Sequence, residues 1–439
     1  MWTRKLQPSR FRQDARPAPQ ELPPTRTDRR RVLRGIGQAG VAALLAPGAL
    51  PFGSGRADAR ELLTQPAEVR SRNGELSVEL TAAPNPVRLG SIEFDGLLYN
   101  DAYLPPLLRL RLGDVMRVRL KNNLSEGFTN LHFHGLSVSP RARSDNVFIH
   151  VSPGREFDYE VTIPSAGRQG PGLFWYHPHG HGFVTKQILG GLSGAIVIDG
   201  SERLFPILKD LPERFFLIKH AEPGGGREVI SVNGQINPAV EIRPGEMQFW
   251  RIAHIGATLF SPFQIEGMPL HVVATDGHPL SRPRLVREFL IGPGQRIDAV
   301  VIGPPPGEYS MGTAVFKNMA WRDPFPAQPV ATIVSSGPPV SGDAASEIMR
   351  QHVAAPRWID EIRASTIARR RRLVYARTED RSVFMIDGRV LDENRIDQVA
   401  KLGDTEEWTI VNTDRQYHSF HIHQTPFLVA EINGVAQEE

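Results

Sequence analysis

The chain has 439 residues, 40% of them apolar, with 40 glycines and 37 prolines; it is too long for one ordinary core and predicts two or three turn-rich, mostly β domains. The formal charge is +3, but residues 1–59 hold 11 basic against 4 acidic side chains and residues 60–439 hold 40 against 44, so the basicity belongs to the leader and nucleic acid is excluded as a partner. No cysteine is present, which excludes disulfides and any thiolate metal ligand within these residues.

Residues 1–59 have the layout of a twin-arginine-type signal peptide with an N-terminal arm. Arg29 and Arg30 lie in Asp28-Arg-Arg-Arg-Val-Leu-Arg34, Gly35 to Leu50 is a modest apolar stretch, and Ala57-Asp58-Ala59 is an A-x-A cleavage site. The competing reading is a short helix after a basic arm. The apolar run is short for a membrane span, so no integral span is expected in the mature chain. The expectation is export by the twin-arginine machinery, with a mature protein starting near Arg60, periplasmic or extracellular.

From Leu76 to Ile163, short alternating runs predict half-buried strands: Ser77–Ala82, Leu108–Leu112 and Val115–Leu120, with Asn85-Pro, Leu112-Gly-Asp114 and Ser152-Pro-Gly154 as turn signals. No long amphipathic helix is indicated before residue 340, which favours β-sandwiches. A repeat then sets the domain count. Arg111-Leu-Gly-Asp-Val-Met-Arg-Val-Arg-Leu-Lys-Asn122, Arg243-Pro-Gly-Glu-Met-Gln-Phe-Trp-Arg-Ile-Ala-His254 and Lys401-Leu-Gly-Asp-Thr-Glu-Glu-Trp-Thr-Ile-Val-Asn412 each read basic-x-Gly-acidic and then an alternating strand. Downstream of the first copy comes His132-x-His134-Gly135, and downstream of the third comes His421-Ile-His423. The second has Gln264-Ile-Glu266-Gly267 there, without histidine. Three related domains are expected: 65–200 and 369–439 equipped for metal, 205–335 not, with a linker over 337–368. The Arg369–Arg372 run reads as a solvated edge.

Eight of the fourteen histidines lie in three windows: His132 and His134; His177, His179 and His181; and His418, His421 and His423. Alternate residues of a strand share a face, so each H-x-H can present two neutral imidazoles to copper, zinc, nickel or iron. Two such pairs at equivalent points of a repeat point to one shared site between the first and third domains.

His132-Phe-His-Gly135, Trp175-Tyr-His-Pro-His179 and His418-x-x-His-x-His423 resemble three of the four copper signatures of the multicopper oxidases, and the likeness extends through Val232–Pro238, Leu290–Arg296 and Phe384–Gly388. The resemblance implies an all-β fold of tandem cupredoxin-like Greek-key sandwiches, the third incomplete. It also implies copper as cofactor, O₂ and a small reducing substrate (phenol-type or metal ion) as partners, and a trinuclear cluster that reduces O₂ to water. Carried over, His132 and His421 would be type 2 ligands, His134, His177, His179 and His423 type 3 ligands, and His418 a type 1 ligand. Asp145 would relay protons, the alternative being an exposed loop aspartate beside Asn146. Trp175 and Phe133 are expected to pack around the site, and His181 to be structural or to support a ligand.

The fourth signature, His-Cys-His, is not in the chain, and a blue copper site needs its thiolate. Three readings follow: an oxidase truncated within its third domain and impaired as it stands, an exported copper-free structural protein of the division-associated kind, or a copper-binding protein. The scarcity of methionine gives no sign of a dedicated cuprous-ion oxidase.

Overall fold

A computed structural model describes residues 60–437 except 227, 318–323 and 381; the twin-arginine-like leader lies outside the described residues. The alternating stretches become strands for the reason their pattern implies. In Val115–Asn122 the side chains of Met116, Val118 and Leu120 are buried while Arg117 and Arg119 face out. The outward residues pair across to neighbouring strands, Arg119 with Asp158 at 2.7 Å and Lys121 with Glu79 at 2.9 Å. Exposed pairs like these contribute little, about 0–1 kcal/mol each. Burial of the inward set, about 1.5–3 kcal/mol per large apolar side chain, holds the layer.

The fold is all-β, with short helices between strands. Spatially, the first sheet runs Ile92–Tyr99, Glu75–Leu89, Val115–Asn122, Glu156–Thr162; the second runs Glu68–Arg70, Leu107–Leu110, Gly194–Ile198, Gly172–His177, His132–His134. Leu76, Leu80, Met116 and Val118 of the first sheet meet Phe133, Phe174, Tyr176 and Ile196 of the second in one core. A second pair of sheets follows. Six strands run Val229–Val232, Glu213–Ala221, Met247–His254, Arg296–Ile302, Leu270–Thr275, His278–Val286. Five run Ala239–Ile242, Gln328–Ser335, Gly307–Thr313, Ser261–Ile265, Glu288–Ile291. Beyond the helices Ala344–Met349 and Arg357–Ala364 lies a three-stranded sheet, Phe384–Ile386, Ile367–Arg377, Thr405–Asn412.

Gly194–Ile198 is buried at every residue, as a strand covered on both faces must be. Ile196 and Ile198 face the first core, while Ala195 and Val197 join Leu173 and Trp175 against Phe215, Leu217, Ala253 and Ile255 of the second pair of sheets. At the edge of this seam Arg109 meets Glu68, Asp199 and Glu213 at 2.9, 2.8 and 2.5 Å. Glu213 also takes Arg251, which reaches Asp298 at 2.8 Å.

The three repeat turns share one geometry. Gly113, Gly245 and Gly403 have φ of +92°, +74° and +92°, where a Cβ would be strained, and a strand begins two residues later. Each of these strands pairs in parallel with an earlier strand of its own sheet: Glu75 opposite Val115, Glu213 opposite Phe249, Ile367 opposite Thr405. The acidic residue closes the turn, Asp114 accepting from Arg111 N–H at 2.7 Å and Glu246 from Arg243 N–H at 2.8 Å.

Two local expectations are corrected. Asn85-Pro is not a turn, because the strand runs unbroken from Glu75 to Leu89 through Pro84 and Pro86. Its parallel partner stops at Asn122 opposite Ala82, so beyond that point one flank needs no donors and proline is tolerated. The Arg369–Arg372 run is solvated as expected, with Arg369, Arg370 and Arg372 exposed, but it lies in the middle strand of its sheet rather than at an edge, with Arg371 held to Glu406 at 2.6 Å and Arg370 to Glu407 at 3.1 Å.

Candidate metal centre

His132–His134 forms a short strand antiparallel to Gly172–His177, with His132 opposite His177 and His134 opposite Trp175. The period of two sends Phe133 the other way, into the core beside Tyr159. Gly135 ends the strand at φ +87°. A Cβ there would lie 2.5 Å from the guanidinium of Arg296, so glycine admits this arginine from the second pair of sheets. Arg296 donates to the carbonyls of Leu173, Gly294 and Asp276, and Gly294 packs against the His134 ring.

The other two H-x-H pairs depart from expectation. The strand ends at His177, and Pro178, which has no N–H to continue the ladder, turns the chain. His179 is placed off the sheet by its N–H donating to Asn130 Oδ1 at 2.6 Å. His421 and His423 lie on an irregular segment, docked by Gln424 Nε2 on Asp145 Oδ2 at 2.8 Å, Arg168 on Thr425 at 2.6 Å and Ser419 on the Pro293 carbonyl at 3.2 Å.

Six imidazoles nevertheless converge. Around His132, ring centroids lie at 5.5 Å for His134, 5.2 Å for His177, 5.3 Å for His179, 5.6 Å for His421 and 4.0 Å for His423. His134 stacks on His421 at 3.8 Å and Trp175 on His177 at 4.0 Å. Two sets, His132 with His421 and His423, and His132 with His134 and His177, each bring one donor atom per residue within 4.8 Å of the others.

The supporting hydrogen bonds decide which nitrogen is free. A carboxylate only accepts, so His132 Nδ1 donates to Asp145 Oδ1 at 2.9 Å and its Nε2 keeps the lone pair. His177 Nδ1 donates to the Pro178 carbonyl at 2.8 Å, and its Nε2 is buried without a hydrogen-bond partner. Burial, then the neighbouring rings, pushes His132, His134 and His177 well below the ordinary histidine range. Burial lowers His179 as well and takes His423 to about 4. His421, open on its outer side, is also shifted down by desolvation of its ring and by His423. All six are neutral donors at pH 7. Asp145 is no exposed loop residue: it is 1% exposed, and burial raises it to about 6 against the pull of the Phe133 N–H and His423.

His418 stands apart. It donates from Nε2 to Asp414 at 3.0 Å and is flanked by Tyr375 and Phe384 at 5.6 and 5.4 Å. His181 is exposed, and no described ring contact joins it to the six. Gln424, Asn130 and Arg296 were not singled out as site residues from the sequence. Arg296 closes the Leu290–Arg296 run; Gln424 and Asn130 show no signal beyond adjacency to the histidine windows.

The chemistry of the donor set can be tested against copper. Six neutral imidazoles, one with a buried unpartnered Nε2, suit copper or another borderline metal. A blue copper site does not fit the residues present, since His418 has Asp414, Tyr375 and Phe384 around it and the chain has no cysteine.

Sequence models described as multicopper oxidase match residues 84–203, 208–337 and 366–439. The chain is 25% identical over 386 residues to the multicopper oxidase mco of Staphylococcus epidermidis, covering 83% of this chain and 78% of that protein. It is 26% identical over 419 residues to the cell division protein FtsP of a Rahnella species, covering 91% and 85%. Its backbone is similar to that of a multicopper oxidase from Campylobacter jejuni described as a metallo-oxidase, with a TM-score of 0.72 at 22% identity over 87% of this chain and 85% of that one.

Proposed function

The chain belongs to the multicopper oxidase family, and on that premise we propose that its six converging imidazoles are the ligands of a copper centre serving O₂ reduction. The reaction would be one-electron oxidation of a reducing substrate, phenol-type or a metal ion, coupled to four-electron reduction of O₂ to water. The observation that carries this is the neutral six-imidazole cluster with its unpartnered His177 Nε2. Copper held there would supply one-electron redox chemistry.

The chain's own residues prepare that centre. Asp145 holds His132 by Nδ1, so that Nε2 faces the other rings, the carboxylate–histidine arrangement that orients a metal ligand. With its affinity for protons raised to about pH 6, Asp145 can take up and release a proton at Oδ2 near neutral pH, as a relay requires. Trp175 covers His177 and excludes water from that side. His132 and His421 would be the type 2 ligands and His134, His177, His179 and His423 the type 3 ligands; His418, held by Asp414, is left outside the centre. Because no cysteine lies in these 439 residues, the thiolate electron path is missing from them, and this chain by itself should bind copper with little or no turnover. The Arg29-Arg30 leader and Ala57-Asp58-Ala59 support export to the periplasm or beyond by the twin-arginine machinery. No helix among the described residues is long and apolar enough to cross a membrane.

Metal analysis of the purified chain, with O₂ uptake measured on an aromatic amine and on a cuprous salt, tests this reading. Copper bound at the cluster supports it; a well-folded chain that takes up no copper rejects it. The latter result would favour the second reading, a copper-free division-associated scaffold, to which the likeness to FtsP over 91% of the chain lends weight.

A further inference from the structure

Among the described residues, eleven that are not glycine have positive φ, and nine of them are Asn or Asp, the side chains that tolerate this region. The two exceptions are Ala142 and Gln424, and both lie beside Asp145: one three residues before it in the chain, the other hydrogen-bonded to it. Glycine would meet the backbone demand at position 424, at φ +60°, without strain. The chain places there instead a residue with an amide, and the amide is used.

Gln424 Nε2 donates to Asp145 Oδ2 at 2.8 Å. The other carboxylate oxygen, Oδ1, already accepts from Phe133 N–H and His132 Nδ1, both at 2.9 Å. Without Gln424, Oδ2 would keep only the longer 3.1 Å approach of His132 Nδ1, and the carboxylate would be held through Oδ1 alone, its plane less firmly set. Gln424 also follows His423 directly, so the segment that brings two imidazoles to the cluster carries the clamp for the carboxylate behind a third.

We propose that Gln424 is a positioning residue of the metal centre. Its amide fixes the plane of the Asp145 carboxylate and through it the His132 ring, with Nε2 aimed into the cluster, and it does so only when the His421–Thr425 segment is docked. The role rests on the copper reading for its purpose but not for its geometry, which exists in the metal-free protein. Partners of this kind behind a ligand change metal affinity by roughly 10–100-fold when removed.

The test uses the full chain and two variants. Gln424→Met keeps the bulk and the strain but loses the amide; Gln424→Gly also loses the amide but suits the backbone. In metal-free protein labelled with ¹⁵N-histidine, the His132 Nδ1–H signal reports the hydrogen bond to Asp145. Titration with copper(II) chloride against a competing chelator reports affinity. Both variants are expected to broaden or lose that signal and to bind copper(II) about tenfold or more weakly. A wild-type signal and affinity in the glycine variant would make Gln424 a backbone fitting only and overturn the proposal; so would unchanged behaviour in both. Should the methionine variant not fold, the glycine variant decides alone. If the wild-type chain binds no copper, the copper reading fails by itself, while the Nδ1–H signal still decides the role of Gln424.

Discussion

The Nε2 atoms of His132 and His421 stand 3.3 Å apart across 289 residues of chain. Two ring nitrogens this close cannot both carry protons, and the surroundings of both rings favour the neutral form. The contact is where imidazoles of the first sheets meet imidazoles of the last segment. His421 is on the open rim, so His421→Ala removes a lone pair without opening the core. Copper per chain, read by atomic absorption, should fall below the wild-type value. Circular dichroism and urea unfolding of the metal-free variant separate loss of a donor from loss of the stacking on His134.

Gly294 gives a steric test of the same cluster. It has φ +85°, and a Cβ there would lie 3.0 Å from His134 Cε1. Gly182, at φ +80°, has nothing within 4 Å of its Cβ position. Alanine at either should destabilise by more than about 0.4–1 kcal/mol through backbone strain. Only Gly294→Ala should also weaken copper binding, by displacing the His134 ring. Equal copper affinity in the two variants would show that the contact does not matter.

Glu213 joins a guanidinium from each of the first two pairs of sheets, Arg109 and Arg251. Removing one partner of a buried ion network costs about 3–5 kcal/mol, because the remaining charges lose compensation. Glu213→Gln should therefore lower the midpoint of urea unfolding by far more than Glu75→Gln, whose pairing with Arg117 is exposed. Similar midpoints for the two would contradict the seam's role in stability.

Acid sensitivity away from the metal centre follows from His220 and His254, which pack with ring centroids 5.7 Å apart. Burial lowers them to about 3 and 4, with His254 adding to the shift of His220. The folded protein keeps both neutral, whereas the unfolded chain protonates them near pH 6.5. Their stabilising contribution is therefore complete above about pH 6.5 and is lost as pH falls toward 4 for His254 and toward 3 for His220. The slope is up to about 1.4 kcal/mol per pH unit for each ring. Between pH 7 and 5 the unfolding free energy of His220→Gln should decline less steeply than that of wild type. Parallel slopes would mean that His220 already titrates in the folded state.

Much of this architecture is legible in local pattern, and the failures have physical reasons. The alternation of Val115–Leu120 and the glycine turns at 113, 245 and 403 are short-range signals, and the strands and turns follow them. The convergence of His132, His134, His177, His179, His421 and His423 could be anticipated from their spacing within a repeat. The mode of convergence could not: Pro178 takes His179 off its strand, and an irregular segment carries His421 and His423. Asn85-Pro misleads because whether a proline breaks a strand depends on whether its flank needs a donor, and that depends on where a distant strand stops. Gln424 and Asn130 escape because one polar residue at a contact made across the fold leaves no periodic trace.

The order of the ligands along the chain has a consequence for biosynthesis. His132, His134, His177 and His179 are all made before residue 180, and His421 and His423 follow some 240 residues later. Domains fold N-terminal first during synthesis at about 5–20 residues per second, so a four-imidazole half-site would stand open for on the order of ten to fifty seconds. Any divalent ion met in that interval would find ligands but not the full set that distinguishes one metal from another. If the six imidazoles hold copper as proposed, the timing of translation would make mis-metallation a hazard, one that loading after the last segment docks would avoid.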